Sequence, residues 1–158
     1  MDIAAEISAR FADEWLPKIY KEKIRSQRTR AYRLEIPERE NHADIQYTLL
    51  GIELKVGKHR FACPDMATAR YLRVFARIGC REFAVPYDIT QISAAADELE
   101  TAWQRTLLFL DDSTKGRPSR GVSQARANLI KAIRLKLAEI GAGDVMPLFN
   151  SPTKQRRS

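Results

Sequence analysis

The sequence predicts a single α+β domain: a small, mostly antiparallel sheet of about four strands, covered by helices, with a C-terminal antiparallel helix hairpin. Hydrophobic residues recur at three- and four-residue intervals in the first and last parts of the chain, which is the helical period. They alternate with polar residues through the middle, which is the strand period. The length of 158 residues fits one domain with its own core. We assign residues 1–142 to this domain and 143–158 to a flexible basic tail.

The N-terminal segment carries one apolar stripe with a four-residue repeat. Its members are Ile3, Ile7, Phe11, Trp15 and Ile19. The repeat predicts a helix over residues 2–16. Pro17 falls inside the stripe, so we expect a kink or a break there, with helix resuming to about Arg25.

The middle of the chain alternates as strands do and is bounded by turn-forming residues. Strands are predicted over 31–36, over 45–56, in the hairpin partner that follows, and over 81–85. The apolar phase changes near Gly51, which predicts a β-bulge. Gly57 followed by Lys58 is typical of a two-residue type II′ hairpin loop, because Gly stands first. This register places Val56 opposite His59.

The remaining helices are marked by capping residues. Asp65 and Asp88 are predicted N-caps, with Gly79 and Gly141 as helix stops. The last helix covers about 122–140, and its short connection to the preceding helix predicts antiparallel packing.

The net charge of +7 is unevenly distributed. Segments 18–34, 115–136 and 154–157 carry +6, +7 and +3, which leaves −9 for the rest of the chain. Separated charge of this kind favours an acidic partner: nucleic acid, an anionic membrane face or an acidic protein surface. The chain has no run of 18 apolar residues, no signal-peptide pattern at its start and no CxxC pair. We therefore expect a cytoplasmic protein with no membrane segment and with reduced thiols.

The segment Lys115-Gly116-Arg117-Pro118 is the sharpest local motif. It resembles the core of an AT-hook, although Lys115 stands where Arg is usual, and the Gly-Arg-Pro arm that precedes the helix-turn-helix of serine recombinases. The resemblance implies a loop that lies in an A·T-rich minor groove, where Arg meets strong negative potential. The alternative is a turn between two helices that uses Gly and Pro for geometry. Residues 114–140 also resemble a Gly/Arg loop and helix near the C-terminus of some large bacterial regulators, which implies a regulatory or interaction setting.

The charge pattern predicts a non-enzymatic nucleic-acid-binding or nucleic-acid-associated regulatory protein that contacts phosphates largely without reading sequence. The last helix supports this hypothesis, because it contains no acid before Glu139. The candidate contact residues are Lys115, Arg117, Arg120, Arg126, Lys131, Arg134, Arg25, Arg28 and Arg30. The alternative is a protein-interaction module or small subunit, acting as a homodimer or adaptor, whose basic surface meets an acidic protein.

Aromatic residues and a second arginine row bear on the same hypothesis. Only Tyr20 and Tyr32 fall in or beside a basic segment, which argues against a binder that stacks the bases of single strands. A row of Arg70, Arg73 and Arg77 runs along the predicted third helix. Two partners are open to this row: phosphate, or the acidic residues of the following helix.

Catalytic motifs are absent from the sequence. It contains no HExxH, GxSxG, P-loop or GxGxxG pattern, so no catalytic residue, metal ligand or cofactor is predicted. One arrangement keeps a third hypothesis open. The Glu53-x-Lys55 spacing on a strand, with Asp44 upstream, is similar to restriction-type nucleases, where two acids hold a metal and the Lys orients water.

Overall fold

The computed structural model describes residues 2–143 and confirms the α+β class, with helices and two small antiparallel sheets. The helices are α1 (Ile3–Phe11), α2 (Leu16–Ile19), α3 (Met66–Ile78), α4 (Ile89–Ser113) and α5 (Ser119–Ile140). The strands are β1 (Thr29–Arg33), β2 (Ala43–Thr48), β3 (Gly51–Val56), β4 (His59–Cys63) and β5 (Glu82–Pro86). β1 pairs with β5, and β2, β3 and β4 form a meander. The predicted basic tail lies outside the described residues, apart from its first residue.

The N-terminal stripe breaks earlier than predicted. Ala12, with a φ of 52°, turns the chain directly after α1, and a 3-10 turn follows at Ala12–Glu14. Pro17 lies in the first turn of α2, where a missing N–H leaves no hydrogen bond unmade. The helix then continues as a π-helical turn over Tyr20–Ile24. The continuous helix predicted over 2–16 was therefore wrong, because the chain turns at Ala12. Pro17 begins the next helix and does not interrupt one.

A second hairpin takes the place of the predicted bulge. β2 and β3 pair antiparallel with Thr48 opposite Gly51, so Leu49 and Leu50 form a two-residue turn. The apolar phase changes at this point because a two-residue turn pairs odd-numbered residues of β2 with even-numbered residues of β3, so that Ile45 and Leu54 share one face of the sheet. The single strand over 45–56 was therefore wrong.

The second turn of the meander has the predicted register. Val56 lies opposite His59, and Lys55 lies opposite Arg60. Gly57 has a φ of 59°, and Lys58 is not in the left-handed region. This combination is the one that a type II′ turn requires.

The core is centred on α3, which packs against α4 and against the β2–β4 sheet. Asp65 caps its start by accepting a hydrogen bond from the main-chain N–H of Thr68 at 2.7 Å, and Gly79 ends it with a φ of 91°. The ring of Phe75 stacks on that of Phe83 in β5, with centroids 4.2 Å apart. Burial raises the pKa of the Cys80 thiol to about 12, so this side chain stays protonated.

Two buried tyrosines hold the outer edge of β5. The Tyr20 hydroxyl accepts a hydrogen bond from the N–H of Ala84 at 2.8 Å and donates to the carbonyl of Gly141 at 2.8 Å. The Tyr71 hydroxyl donates to the carbonyl of Ala84 at 2.6 Å. These contacts satisfy the edge of the strand and tie it to the end of α5. Burial raises the pKa of Tyr20 to about 12.

The C-terminal helices α4 and α5 are nearly antiparallel, as predicted. α5 begins at Ser119, three residues before its predicted start, and buries Leu129, Ile133 and Leu137. Within residues 2–143, none of the helices combines the length and the apolar character needed to cross a bilayer.

Candidate nucleic-acid interface

The arginine row of α3 forms ion pairs and hydrogen bonds with other parts of the protein. Arg70 pairs with Asp97 and with Glu100, and Arg73 lies 2.8 Å from Glu100. Burial alone would raise the pKa of Glu100, but the hydrogen bonds from the two guanidinium groups outweigh it and hold the pKa below its ordinary value. The third member, Arg77, donates to a main-chain carbonyl of β2. Of the two partners open to this row, the structure places it with carboxylates and main chain.

Several predicted contact residues also have internal partners. The Nε and Nη2 groups of Arg126 donate to the two carboxylate oxygens of Glu40 at 2.8 and 2.6 Å. This carboxylate holds the pKa of Arg126 above its ordinary value. Arg134 donates to the carbonyl of Ile78 at 3.0 Å, and Arg25 donates to the hydroxyl of Thr29 at 3.1 Å. The part of α5 that carries Arg134 therefore lies against the end of α3.

The loop that carries Glu40 is fixed on the end of α3. The side-chain nitrogen of Asn41 lies within 3.1 Å of three main-chain oxygens, those of Pro37, Arg39 and Ala76. The loop also packs so closely on Gly79 that an added Cβ would lie 2.1 Å from the main-chain oxygen of Arg39. Arg39 and Glu40 are therefore held in place beside α5 before any ligand arrives.

A groove of about 350 Å³ lies between this loop and α5. Three guanidinium groups line it, those of Arg39, Arg126 and Arg134, together with Glu40 and Ser123. Three cations against one carboxylate leave the groove with a net positive charge. Arginine forks of this kind match the oxygens of a phosphate group.

The groove continues into a stripe along the outer side of α5. Residues three and four positions apart share one side of a helix. We define the α5 stripe as Arg120, Ser123, Ala127, Lys131 and Arg134. The ion pairs of α5 found within residues 2–143 are Arg126–Glu40 and Lys136–Glu139. The exposed cations Arg120 and Lys131 are therefore available to an external anion, and the small residues between them let a backbone approach closely.

The Gly-Arg-Pro segment is a hydrogen-bonded turn. The N–H of Lys115 donates to the carbonyl of Asp112, and the N–H of Arg117 donates to that of Thr114 at 3.1 Å. Thr114 is buried, and its hydroxyl donates back into α4. Arg117 lines a groove that also contains the acidic side chains of α1 and its cap. The segment is therefore a turn between two helices, which is the alternative given above for this motif. It does not form the extended chain that an AT-hook inserts into a minor groove.

A second basic cluster lies where β1 begins and β5 ends. The N–H of Tyr87 donates to the carbonyl of Arg28 at 3.1 Å, which continues the β1–β5 ladder by one register step. The guanidinium carbons of Arg28 and Arg30 lie 5.1 and 6.0 Å from the centroid of the Tyr87 ring. Sequence reasoning missed Tyr87 because it is remote from segment 18–34 along the chain. A prediction that the 81–85 strand pairs with the 31–36 strand would have placed Tyr87 near the basic segment.

The Tyr87 cluster and the turn at 114–118 lie at opposite ends of α4. Tyr87 comes shortly before the first residue of α4, and the turn follows its last. A helix of this length extends for roughly 37 Å. The Gly-Arg-Pro turn is therefore remote from Arg28 and Arg30, while α5 runs back from that turn nearly antiparallel to α4.

The carboxylates of the nuclease hypothesis lie in the β2–β3 hairpin. Asp44 is opposite Lys55, and the carboxylate of Glu53 lies 3.6 Å from the guanidinium of Arg60. In the part of the chain from 2 to 143, no three His, Cys, Asp or Glu side chains are grouped so that they could hold a metal ion. Glu53 is instead engaged in an ion pair across the sheet.

No protein-family model, curated protein or solved structure matches this chain. Its function must therefore be inferred from its own residues and their arrangement.

Proposed function

We propose that this protein binds nucleic acid without enzymatic activity, holding phosphates along the α5 stripe and in the adjoining arginine groove. The observation that carries the proposal is the convergence of Arg39, Arg126 and Arg134 on one groove, contiguous with the exposed Arg120 and Lys131. Contacts of this type position a protein on nucleic acid but carry no sequence information.

The dimensions of the stripe suit a phosphate backbone. From Arg120 to Arg134 the helix rises by about 21 Å, a length that covers several consecutive phosphates of one strand. Ser123 and Ala127 present no long side chain between the cations. A strand can therefore lie along the stripe with its phosphates close to the cationic groups.

The test is the salt dependence of binding, because each neutralised phosphate releases counterions. Fluorescence anisotropy of labelled duplex DNA and RNA should show a steep fall in affinity between about 50 and 200 mM salt. Negligible binding at low salt, or an affinity that is flat over this range, would refute the proposal.

A second candidate function, a protein-interaction module, is favoured by the tip of the β2–β3 hairpin. Tyr47, Leu49 and Leu50 are large, exposed and adjacent there. Grouped apolar side chains on a surface mark interaction sites. In this alternative the tip enters an apolar pocket of a partner, and the basic surfaces meet acidic residues of the same partner.

Sedimentation separates the two functions. Leu49→Ser/Leu50→Ser should leave the free energy of unfolding within about 0.5 kcal/mol of wild type, because the side chains are already exposed. If the wild type forms a stable dimer or complex that this variant loses, and if nucleic acid has no effect on it, the interaction function is favoured. If the wild type and the variant both sediment as monomers, self-association through the tip is refuted.

A further inference from the structure

The outer end of the β1–β5 sheet carries an aromatic and basic face. Side chains two residues apart share one face of a strand, so Arg28, Arg30 and Tyr32 lie together. Antiparallel pairing brings Phe83 opposite Tyr32 and Tyr87 opposite Arg28. The inner end of this face is packed, with the Tyr32 and Phe83 ring centroids 5.9 Å apart. The outer end opens to solvent.

A groove of about 420 Å³ lies over the outer end. Its floor is apolar and includes Leu72 and Val85, while Arg30, Tyr32 and Tyr87 contribute polar groups. The first turn of α4 forms a wall with Ile89, a large side chain that is exposed. The volume is in the range of small-ligand sites and suits one planar group with its substituent.

The groups around this groove favour an anion with a flat ring. The Tyr87 ring is 41% exposed, and two guanidinium groups face it. The nearest acids are used as helix caps. Asp65 accepts from the N–H of Thr68, and Asp88 accepts from the N–H and hydroxyl of Thr90. Neither Arg28 nor Arg30 takes part in the ion pairs found within residues 2–143, so both can bind an anion at the rim of an apolar groove.

We infer that this groove binds one unpaired nucleotide of a single-stranded nucleic acid, with the base stacked at Tyr87 and the phosphate held by Arg28 and Arg30. A nucleobase stacks on tyrosine rings and on guanidinium planes, and its phosphate is the anion that arginine prefers. Bases inside a duplex are paired and stacked on each other, so they cannot enter the groove. This inference rests on the proposed function and adds a preference for single strands.

The experiment compares single-stranded and duplex DNA of about 15 nucleotides by anisotropy. Tyr87→Ala should weaken binding of the single strand by about tenfold and change binding of the duplex by less than about twofold, because stacking contributes only where bases are unpaired. Tyr87→Phe keeps the ring and should bind as wild type does. Leu108→Ala, which removes an exposed large side chain from the other end of α4, is the control and should change neither affinity.

A fluorescent reporter tests direct contact. Trp15 and Trp103 are both buried, so Tyr87→Trp adds an exposed indole at the groove. Its emission should be quenched by the single strand, and quenching should saturate with the affinity measured by anisotropy. A mononucleotide that quenches as tightly as the strand would overturn the assignment to a strand and indicate a site for free nucleotide.

The outcomes separate this inference from the proposed function. If Tyr87→Ala binds single strands as tightly as wild type, or loses single strand and duplex equally, the inference is wrong. If substitutions on the α5 stripe still weaken binding in that case, the proposed function stands. If the wild-type protein binds neither nucleic acid, both fail.

Discussion

Neutralising two cations of the α5 stripe tests the proposed interface most directly. In Arg120→Gln/Lys131→Gln both side chains stay polar but lose their charge. Both are exposed, and neither takes part in the ion pairs of α5 found within residues 2–143. The free energy of unfolding should therefore change by less than about 0.5 kcal/mol. Any loss of binding then reports on the interface and not on folding.

The magnitude follows from counterion release. The logarithm of the binding constant for duplex DNA falls with the logarithm of salt concentration by about 0.9 for each phosphate neutralised. Losing two contacts should make the slope shallower by about 1.8. Relative to 1 M salt, this amounts to a loss of roughly 60-fold at 0.1 M, and the loss should shrink as salt rises.

A matched control separates local contact from total charge. Lys21→Gln/Lys58→Gln also removes two exposed positive charges, from the π-helical turn and from the β3–β4 turn. Its slope should stay close to that of wild type. Equal slopes for the two double variants would show that only net charge matters, and would refute the assignment of phosphates to the α5 stripe.

Three further predictions concern the groove and the core. Glu40→Gln removes the carboxylate that competes with phosphate for Arg126, so the salt slope should steepen by about 0.9. The stability cost should be below about 1 kcal/mol because the pair is partly exposed. An unchanged slope in the anisotropy titration would refute competition between Glu40 and phosphate for Arg126. In urea denaturation, Gly79→Ala should lower the free energy of unfolding by at least about 2 kcal/mol more than Gly116→Ala does. Both glycines have a positive φ, but only Gly79 is crowded by main-chain atoms. Equal losses of stability would contradict the packing argument. The pKa of Tyr20 is raised from 10.0 to about 12. Its contribution to the free energy of unfolding is therefore complete below pH 10 and falls by roughly 2–3 kcal/mol as pH rises to 12. Tyr20→Phe should be less stable than wild type at neutral pH, and its free energy of unfolding should fall less between pH 10 and 12.

Helix limits were predictable where a single residue sets them. Asp65 and Gly79 act through contacts with residues near them in sequence, so their cap and stop functions are visible in the chain itself. The break at Ala12 was not predictable, since alanine favours helix and no neighbour signals a stop. The turn at Leu49 and Leu50 was also hidden, because neither is a typical turn residue and strands flank both.

The candidate site divides in a similar way. The count and spacing of cations along α5 could be obtained from the sequence, including the stripe that contains Arg120 and Lys131. The partner of Arg126 could not, because Glu40 lies 86 residues away in the chain. Nor could Tyr87 be associated with Arg28 before β1 and β5 were known to pair.

The sequence by itself determined the α+β class, most helix limits, the register of the β3–β4 hairpin and the concentration of positive charge in a few segments. These properties depend on hydrophobic period and on contacts within one or two turns of chain. Only the tertiary structure decided which charges are neutralised internally and which remain at the surface. The physical reason is that ion pairing and ring contacts act over a few ångströms, so they depend on which distant segments the fold brings together.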